Sequence, residues 1–277
     1  MTFVIAISTL GNSSRFEALL DSLNFQTDKN FVVGFCDQSE RGELLDFLNN
    51  RALEFSFFVC RTEKRGLSRG RNEIIKNSPK TATHFLFPND TSVFDDNFVH
   101  EVRAQSKDIQ VTVLGYLESG RPRYLFPAGL TGLNRENVWL VLEGAVVISK
   151  DILEAGLGFD ENLGVGSDGP FQSGEGSDLL LRTLPHIEKV RWVPDLTVNG
   201  VSQNFNLSPS SQRIKAFRYG VGYGHLLSRH RYSIAKKVKS LLGPLIRSAV
   251  PTKSRIGFIE AAYSTAGRLR GILYKSD

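Results

Sequence analysis

Several side chains stand at places in this sequence where chemistry could be done. Thr9, Asp37 and Asp90 each follow a short apolar run, Asn89 precedes Asp90, and Arg71 lies in a helical pattern ahead of the last of these runs. Polar groups at the carboxyl ends of buried strands sit where open α/β sheets hold ligands. Together they could grip a nucleotide diphosphate. Asp37 can accept from a base or ribose donor, Arg71 can neutralise or pair, and Asp90 can hold a divalent cation on the diphosphate. Asn89-Asp90-Thr91 also reads as a polar turn, because Asn and Asp favour local backbone hydrogen bonds. Downstream, Gly174-Glu175-Gly176-Ser177-Asp178 sets out two carboxylates. Ser177 is placed to cap a helix, with Asp178 in its first turn and Arg182 one turn on as a pairing partner. Glu175, between two glycines, is expected just outside that helix, where a loop carboxylate suits a general base.

A sheet must position these groups. Residues 3–7 form an apolar run suited to a strand buried on both faces, 85–87 a short apolar run that fits a buried strand, and 31–36 and 54–59 read as strands beside them. Between them lie helical patterns: Ser14 and Glu17 form a capping box ahead of Phe16, Leu19, Leu20 and Leu23, a second helix covers 44–53, and Ser68 is placed to cap a third. Pro88 ends the fourth run because it has no N–H to donate. Such alternation predicts a mostly parallel sheet with helices on both faces. Further on, a helix over 95–105, a strand over 110–117, a Gly- and Pro-containing connection over 121–136, a strand over 145–148, a helix over 150–155 and a long loop to 176 are expected. Gly164 to Gly169 matches G-x-G-x-x-G, but no strand precedes it closely and Pro170 follows it, so loop glycines are the better account.

Charge divides the chain. Residues 1–209 hold 20 Lys and Arg against 27 Asp and Glu, a net −7, and residues 210–277 hold 14 against 2, a net +12. The division expected is a catalytic domain over 1–209 and a basic amphipathic helical tail over 210–277. In the tail, a helix over 211–229 is broken by Gly220, Gly222 and Gly224. A second places Ile234, Val238, Leu241, Leu242 and Leu245 on one face with Lys236, Lys237 and Lys239 off it and a kink at Pro244. A third runs over 256–274. Basic amphipathic helices suit an anionic membrane interface, or pack on the sheet with solvated lysines. No window approaches 18 consecutive apolar residues, and the N-terminus lacks a basic stretch ahead of its short apolar run. A cytoplasmic protein, peripheral on the inner membrane face, is therefore expected. Cys36 and Cys60 read as small buried thiols in a reducing compartment.

The chain resembles a family 2 glycosyltransferase of the GT-A fold. The likeness rests on Ser8-Thr9 with Arg15 in the first helix, Asp37-Gln38-Ser39, Gly66-Leu67-Ser68-Arg69-Gly70-Arg71-Asn72, the acidic strand end at Asp90, Gly158-Phe159-Asp160-Glu161, and Ser173-Gly174-Glu175 through Arg182. It spans roughly Thr2 to Val198 in the family's order. It implies inverting transfer of a sugar from a nucleotide diphosphate, UDP first among the candidates, to an acceptor hydroxyl, assisted by Mn²⁺ or Mg²⁺. Carried over, Thr9, Asp37, Arg71 and Asn89 would contact the nucleotide and Asp90 would ligate the metal. The family's D-x-D reads Pro88-Asn89-Asp90, leaving one acidic ligand where two are common. Its Glu-Asp pair reads Glu175-Gly176, so the base falls to Glu175 with Asp178 in reserve.

Trp139 and Glu143 fall in the segment that would line the acceptor side, where a Trp could stack on a sugar or serve as a core aromatic. A late-strand His is missing, since Val198 is followed by Asn199-Gly200, and His84, His100 and His186 read as structural or surface residues. His225 and His230 carry no assignment. The acceptor expected is a glycan or lipid-linked glycan of cell-surface polysaccharide synthesis. A catalytically weak nucleotide-sugar binding or scaffolding protein on the same fold is the alternative. Nucleic acid is not expected, for the tail has little aromatic interleaving.

Overall fold

The computed structural model describes residues 1–11, 16–200, 207–249 and 257–274. It divides into two compact units, Met1–Phe159 with Leu179–Ser202, and Asp160–Asp178 with Gln203–Asp277.

The first unit is built on an eight-stranded sheet in the order β3-β2-β1-β4-β7-β5-β6, with β8 also paired to β5. The strands are β1 (Thr2–Thr9), β2 (Phe31–Asp37), β3 (Ser56–Arg61), β4 (Ala82–Leu86), β5 (Val111–Glu118), β6 (Arg121–Pro122), β7 (Val146–Ser149) and β8 (Val190–Gly200). The β1–β2, β1–β4, β2–β3 and β5–β8 pairings are parallel, and β7 runs antiparallel to both β4 and β5. Helices α1 (Glu17–Asn24), α2 (Leu44–Asn49), α3 (Leu67–Asn77), α4 (Phe98–Ser106) and α5 (Lys150–Ala155) connect the strands.

Strand side chains alternate between faces, so β1 and β2 each serve two layers. Phe3, Ile5, Ile7, Phe31, Val33 and Phe35 enter one core with Leu19, Leu20 and Leu23 of α1. The intervening positions meet α3, where a Cβ on Gly34 would fall 2.5 Å from Ile74 and one on Gly70 would fall 2.1 Å from Ser8 Oγ. Gly70 is therefore a packing residue that lets α3 approach the sheet.

Several boundaries differ from expectation. Gly66, at φ 143°, occupies the N-cap of α3, and Ser68 lies buried within the helix. The positive φ of Gly66 explains why glycine is needed there. Ser14 of the expected capping box is outside the described residues, and Phe16 stands at the cap of α1. Helix α2 ends at Asn49, and α4 starts at Phe98 behind Asn97. Cys36 and Cys60 lie opposite one another in the β2–β3 register, both as free thiols, with Cys60 only half-buried.

Helix α6 (Glu175–Thr183) begins in the second unit and ends in the first. The rest of the second unit is α7 (Pro209–Arg229), α8 (Ile234–Ser248) and α9 (Phe258–Leu273), together with the loop over 160–174. Helix α7 is not broken by its glycines. A Cβ on Gly220 would lie 2.4 Å from the Ser264 carbonyl oxygen and one on Gly224 2.1 Å from that of Arg268. From the other side, a Cβ on Gly267 or Gly271 would lie 2.1 Å from the carbonyl oxygen of Phe217 or Val221. Four glycines, two per helix at a spacing of four, bring the backbones of α7 and α9 into contact. Ser228 Oγ then donates to the Ile272 carbonyl at 2.8 Å, and the Arg268 guanidinium covers the Tyr223 ring at 4.4 Å.

Helix α8 holds Pro244 inside it and buries only Ser240 and Pro244. Of its expected apolar face, Ile234 is 81%, Val238 48% and Leu242 49% exposed while Leu241 and Leu245 are half-buried, and Ile246, outside that expectation, extends the outward stripe at 63%.

Candidate active site

In the first unit the polar residues gather at the carboxyl ends of β1, β2 and β4. Thr9 and Asp37 are partners in the β1–β2 register, and both are buried. Thr9 Oγ1 donates to Asp90 Oδ2 at 3.2 Å and accepts from the Gly11 N–H at 3.2 Å. Three residues far apart in sequence thus meet at one sheet edge. Asp37 accepts from the Ser39 N–H at 2.8 Å and, through its other oxygen, from the Leu44 N–H at 3.2 Å. Leu44 opens α2, so the Asp37 carboxylate satisfies an orphan donor at a helix start. Gln38 extends the floor by donating to the Gly66 carbonyl at 3.0 Å and accepting from Ser8 Oγ at 3.3 Å.

Arg71 is only 1% exposed. Its guanidinium lies 5.3 Å from the ring centre of Phe159 and 5.9 Å from that of Phe87, reaches the Phe87 carbonyl at 3.4 Å, and stands 3.5 Å from Glu143. Buried arginines are tolerated when paired and stacked in this way. Arg71 therefore locks the end of β4 to the segment before β7. Glu143, expected on the acceptor side, is its ion-pair partner, and Trp139 lies half-buried in a 3₁₀ turn over Asn137–Leu140. Asn72 grips the Phe159 backbone twice, donating to its carbonyl and accepting from its N–H at 2.9 Å each. Gly158, at φ 72°, leaves no room for a Cβ, which would fall 2.7 Å from Asn72 Oδ1. Arg182 donates to the carbonyls of Gly156 and Gly158. The paired motifs at 66–72 and 158–159 are thus one interlocked contact. Asn89 hydrogen-bonds Tyr116, which opposes burial in setting the Tyr116 hydroxyl; burial prevails and the pKa is raised.

Among the described residues no group of three or more His, Cys, Asp or Glu is arranged to hold a metal ion. Asp90 offers one carboxylate at the sheet edge. Mg²⁺-like ions are commonly held by one or two carboxylates plus substrate phosphates, so the donor set fits an ion shared with a diphosphate and not an all-protein cage.

In the second unit, Glu175 is the first residue of α6 and 2% exposed, not a loop carboxylate outside the helix. Ser177 likewise lies within the helix. Gly174, at φ 99°, makes the turn into it, and its carbonyl accepts from the Asp178 N–H at 2.8 Å. Asp178 is 0% exposed; His230 Nε2 is 2.8 Å and Arg229 Nε 3.6 Å from its Oδ1. Arg229 also reaches Asp160 at 2.5 Å, and this hydrogen bond, with one from the Asn162 N–H, outweighs burial and holds the Asp160 carboxyl below its usual range. Ser173 Oγ donates to the Tyr219 carbonyl at 2.9 Å, fixing the loop onto α7. Sequence reasoning missed this Asp160-Arg229-Asp178-His230 cluster because its members come from segments more than 50 residues apart, with no local pattern to join them.

No protein-family model matches the chain, and no curated protein matches it in sequence. Solved structures do share its fold. Residues 1–349 of S. aureus TarS superpose with a TM-score of 0.62 at 15% identity, over 100% of this chain and 93% of that one. The same protein in complex with UDP-GlcNAc gives 0.61 at 15% identity, over 100% and 93%. The mannosyltransferase PcManGT from Pyrobaculum calidifontis, in complex with GDP-Man and Mn²⁺, gives 0.62 at 9% identity, over 98% of this chain and 87% of that one. At such identities the likeness speaks to architecture, and it bears out the expected fold class: an α/β sheet of GT-A type flanked by helices.

Proposed function

We propose that this chain is an inverting glycosyltransferase that moves a sugar from a nucleotide-diphosphate donor to an acceptor hydroxyl. The observation that carries the reading is the meeting of Thr9, Asp37 and Asp90 at adjacent strand ends, in a fold whose solved examples include complexes with UDP-GlcNAc and GDP-Man. Asp37 and Asn89 orient the nucleotide, Thr9 holds the Asp90 carboxylate in place, and Arg71 stiffens the β4 end beneath them. Asp90 would hold Mn²⁺ or Mg²⁺, and such an ion supplies charge stabilisation at the departing diphosphate. Glu175 takes the proton from the acceptor hydroxyl, whose oxygen bonds to the anomeric carbon as the carbon–diphosphate bond breaks on the opposite face. Asp178, held by His230 and Arg229, fixes the first turn of α6 on which Glu175 stands.

A thermal-shift panel of UDP-, GDP-, dTDP- and CMP-sugars, with and without Mn²⁺, tests the donor site on wild type and Asp90→Ala. A stabilising shift for one donor that requires Mn²⁺ and disappears in Asp90→Ala is expected. No shift with any donor would overturn the reading. A second reading, a nucleotide-sugar binding or scaffolding protein, is favoured by the single carboxylate at the metal position. Tight donor binding without product would select it.

The acceptor we favour is a lipid-linked or cell-surface glycan, met at the inner face of a membrane. The outward apolar stripe of α8 supports this: Lys236, Lys239 and Arg247 lie on one flank and Lys237 on the other, the pattern of a helix lying in an anionic interface. No described helix is long and apolar enough to cross a membrane. Ile234→Ser with Leu242→Ser should abolish sedimentation with phosphatidylglycerol vesicles, and undiminished sedimentation would remove the membrane part while leaving sugar transfer untouched.

A further inference from the structure

The second unit contains a cavity of about 480 Å³ between the loop, α7 and α9. Arg218 of α7 and Arg270 of α9 both line it, beside Phe217 and Val221, while Ser167 and Gln172 form the loop side. No acidic side chain lines it. The two guanidinium groups come from different helices, and neither is paired with an acid in any ion pair or hydrogen bond among the described residues. Both arginines are exposed at the cavity, and two like charges lining one space favour an anion there.

The cavity is built of fixed parts. The contacts of Gly267 with the Phe217 carbonyl and of Gly271 with the Val221 carbonyl set the register of α9 on α7, and so the spacing of Arg270 from Arg218. The loop side is held by Gln172, whose Nε2 donates to the Gly169 carbonyl at 2.8 Å and the Ser167 carbonyl at 3.1 Å, and whose Oε1 accepts from the Gly166 N–H at 3.0 Å. Gln172 lies three residues before Glu175, and three residues of chain reach about 10 Å at most.

We propose that this cavity binds a phosphoryl group carried by the acceptor, about one or two sugar units from the hydroxyl that Glu175 deprotonates. Two forked guanidinium groups on different helices lining one cavity suit a tetrahedral oxyanion with three oxygens to share, and a planar carboxylate would satisfy one of them. Phe217 and Val221 supply an apolar wall for the attached sugar or alkyl chain. The proposal rests on the sugar-transfer reading for the word acceptor, though not for the anion site itself.

The test is an amide-resolved NMR titration of the full chain with three probes: α-glucose 1-phosphate, methyl α-glucoside, and monomeric dihexanoyl phosphatidylglycerol. Glucose 1-phosphate should shift the amides of Gly169, Phe217 and Val221, and the neutral glucoside should not. A response to the lipid equal to or stronger than that to the sugar phosphate would place the phosphate on a lipid carrier; the reverse would place it on the glycan. Arg218→Gln and Arg270→Gln should each weaken binding about tenfold, the scale of losing a charge-assisted hydrogen bond. Arg218→Lys should lose less. Equal shifts from the neutral glucoside, no shift from either phosphate, or full affinity in both Gln variants would overturn the proposal. The thermal shift induced by nucleotide sugars, read on the same samples, separates the two ideas: phosphate binding here without any donor response would sink sugar transfer and leave the anion site standing.

Discussion

Replacing His230 with Ala should destabilise the second unit by about 2–3 kcal/mol. Its partner Asp178 is fully buried, and His230 Nε2 makes the 2.8 Å contact to it. A hydrogen bond to a charged group contributes about 1.5–3 kcal/mol net, and leaving a buried charge wholly unpaired costs about 3–5 kcal/mol. Arg229 remains 3.6 Å from the same oxygen, which keeps the effect toward the lower range. With about 2–4 °C per kcal/mol for a chain of this size, His230→Ala should lower Tm by about 5–10 °C. His230→Gln, which keeps an N–H donor at similar reach, should recover part of the loss. The pair with Asp178→Asn supplies the sharper assay, because residues in direct contact show coupling of about 0.5–3 kcal/mol. Urea unfolding of the four species should therefore give a double mutant less destabilised than the sum of the singles. An unchanged Tm in His230→Ala, or strict additivity, would refute the claim that this histidine supports the start of α6.

Glu175→Gln should cut turnover about 100- to 10,000-fold, the range for losing a general base, while the donor-induced thermal shift survives; loss of both would point to misfolding instead. Burial lowers the pKa of His84 and of His225, the latter with help from Arg229. A histidine whose folded pKa is lowered stabilises fully above its unfolded value of about 6.5 and loses that contribution as pH falls toward the lower folded value, so stability should decline as pH drops below about 6.5. His225 stacks on Phe171 at 3.8 Å between ring centres, so His225→Phe should flatten part of that decline in a pH series of Tm values. Gly224→Ala should cost at least about 1–3 kcal/mol by driving α7 off α9, readable as a lower midpoint in urea; a neutral result would contradict the backbone contact at Arg268.

The first unit was largely legible because its strands announce themselves. Continuous apolar runs at β1, β2 and β4 can be satisfied only by burial on both faces, and the polar residues after them had to emerge at the sheet's edge. The expected helix over 150–155 coincides with α5. What periodicity could not supply was the partner of each polar group. The sequence could not show that the Asp37 carboxylate also bonds the start of α2, or that Glu143 stands beside Arg71. Local propensity also misread the glycines of α7, since their cost to a helix is offset here by a second helix that no single-strand pattern reveals. The apolar stripe of α8 was visible only in part: Ile234, Val238 and Leu242 face outward while Leu241 and Leu245 are half-buried, a division set by tertiary packing.

The second unit is discontinuous in the chain, and this sets an order in biosynthesis. Residues 160–178 leave the ribosome well before α7 and α9, to which Ser173, Asp178 and Gly174 are fitted. At about 5–20 residues per second, the segment bearing Glu175 waits several seconds for the last helices to emerge. The sheet can form in that interval, but the turn bearing Asp178 meets Arg229 and His230 only once α7 has been made. Removing α7 to α9 would thus strip Asp178 of His230 and Arg229, so a truncated chain that lost activity would say nothing about membranes. Point substitutions on the outer face of α8 avoid that confusion.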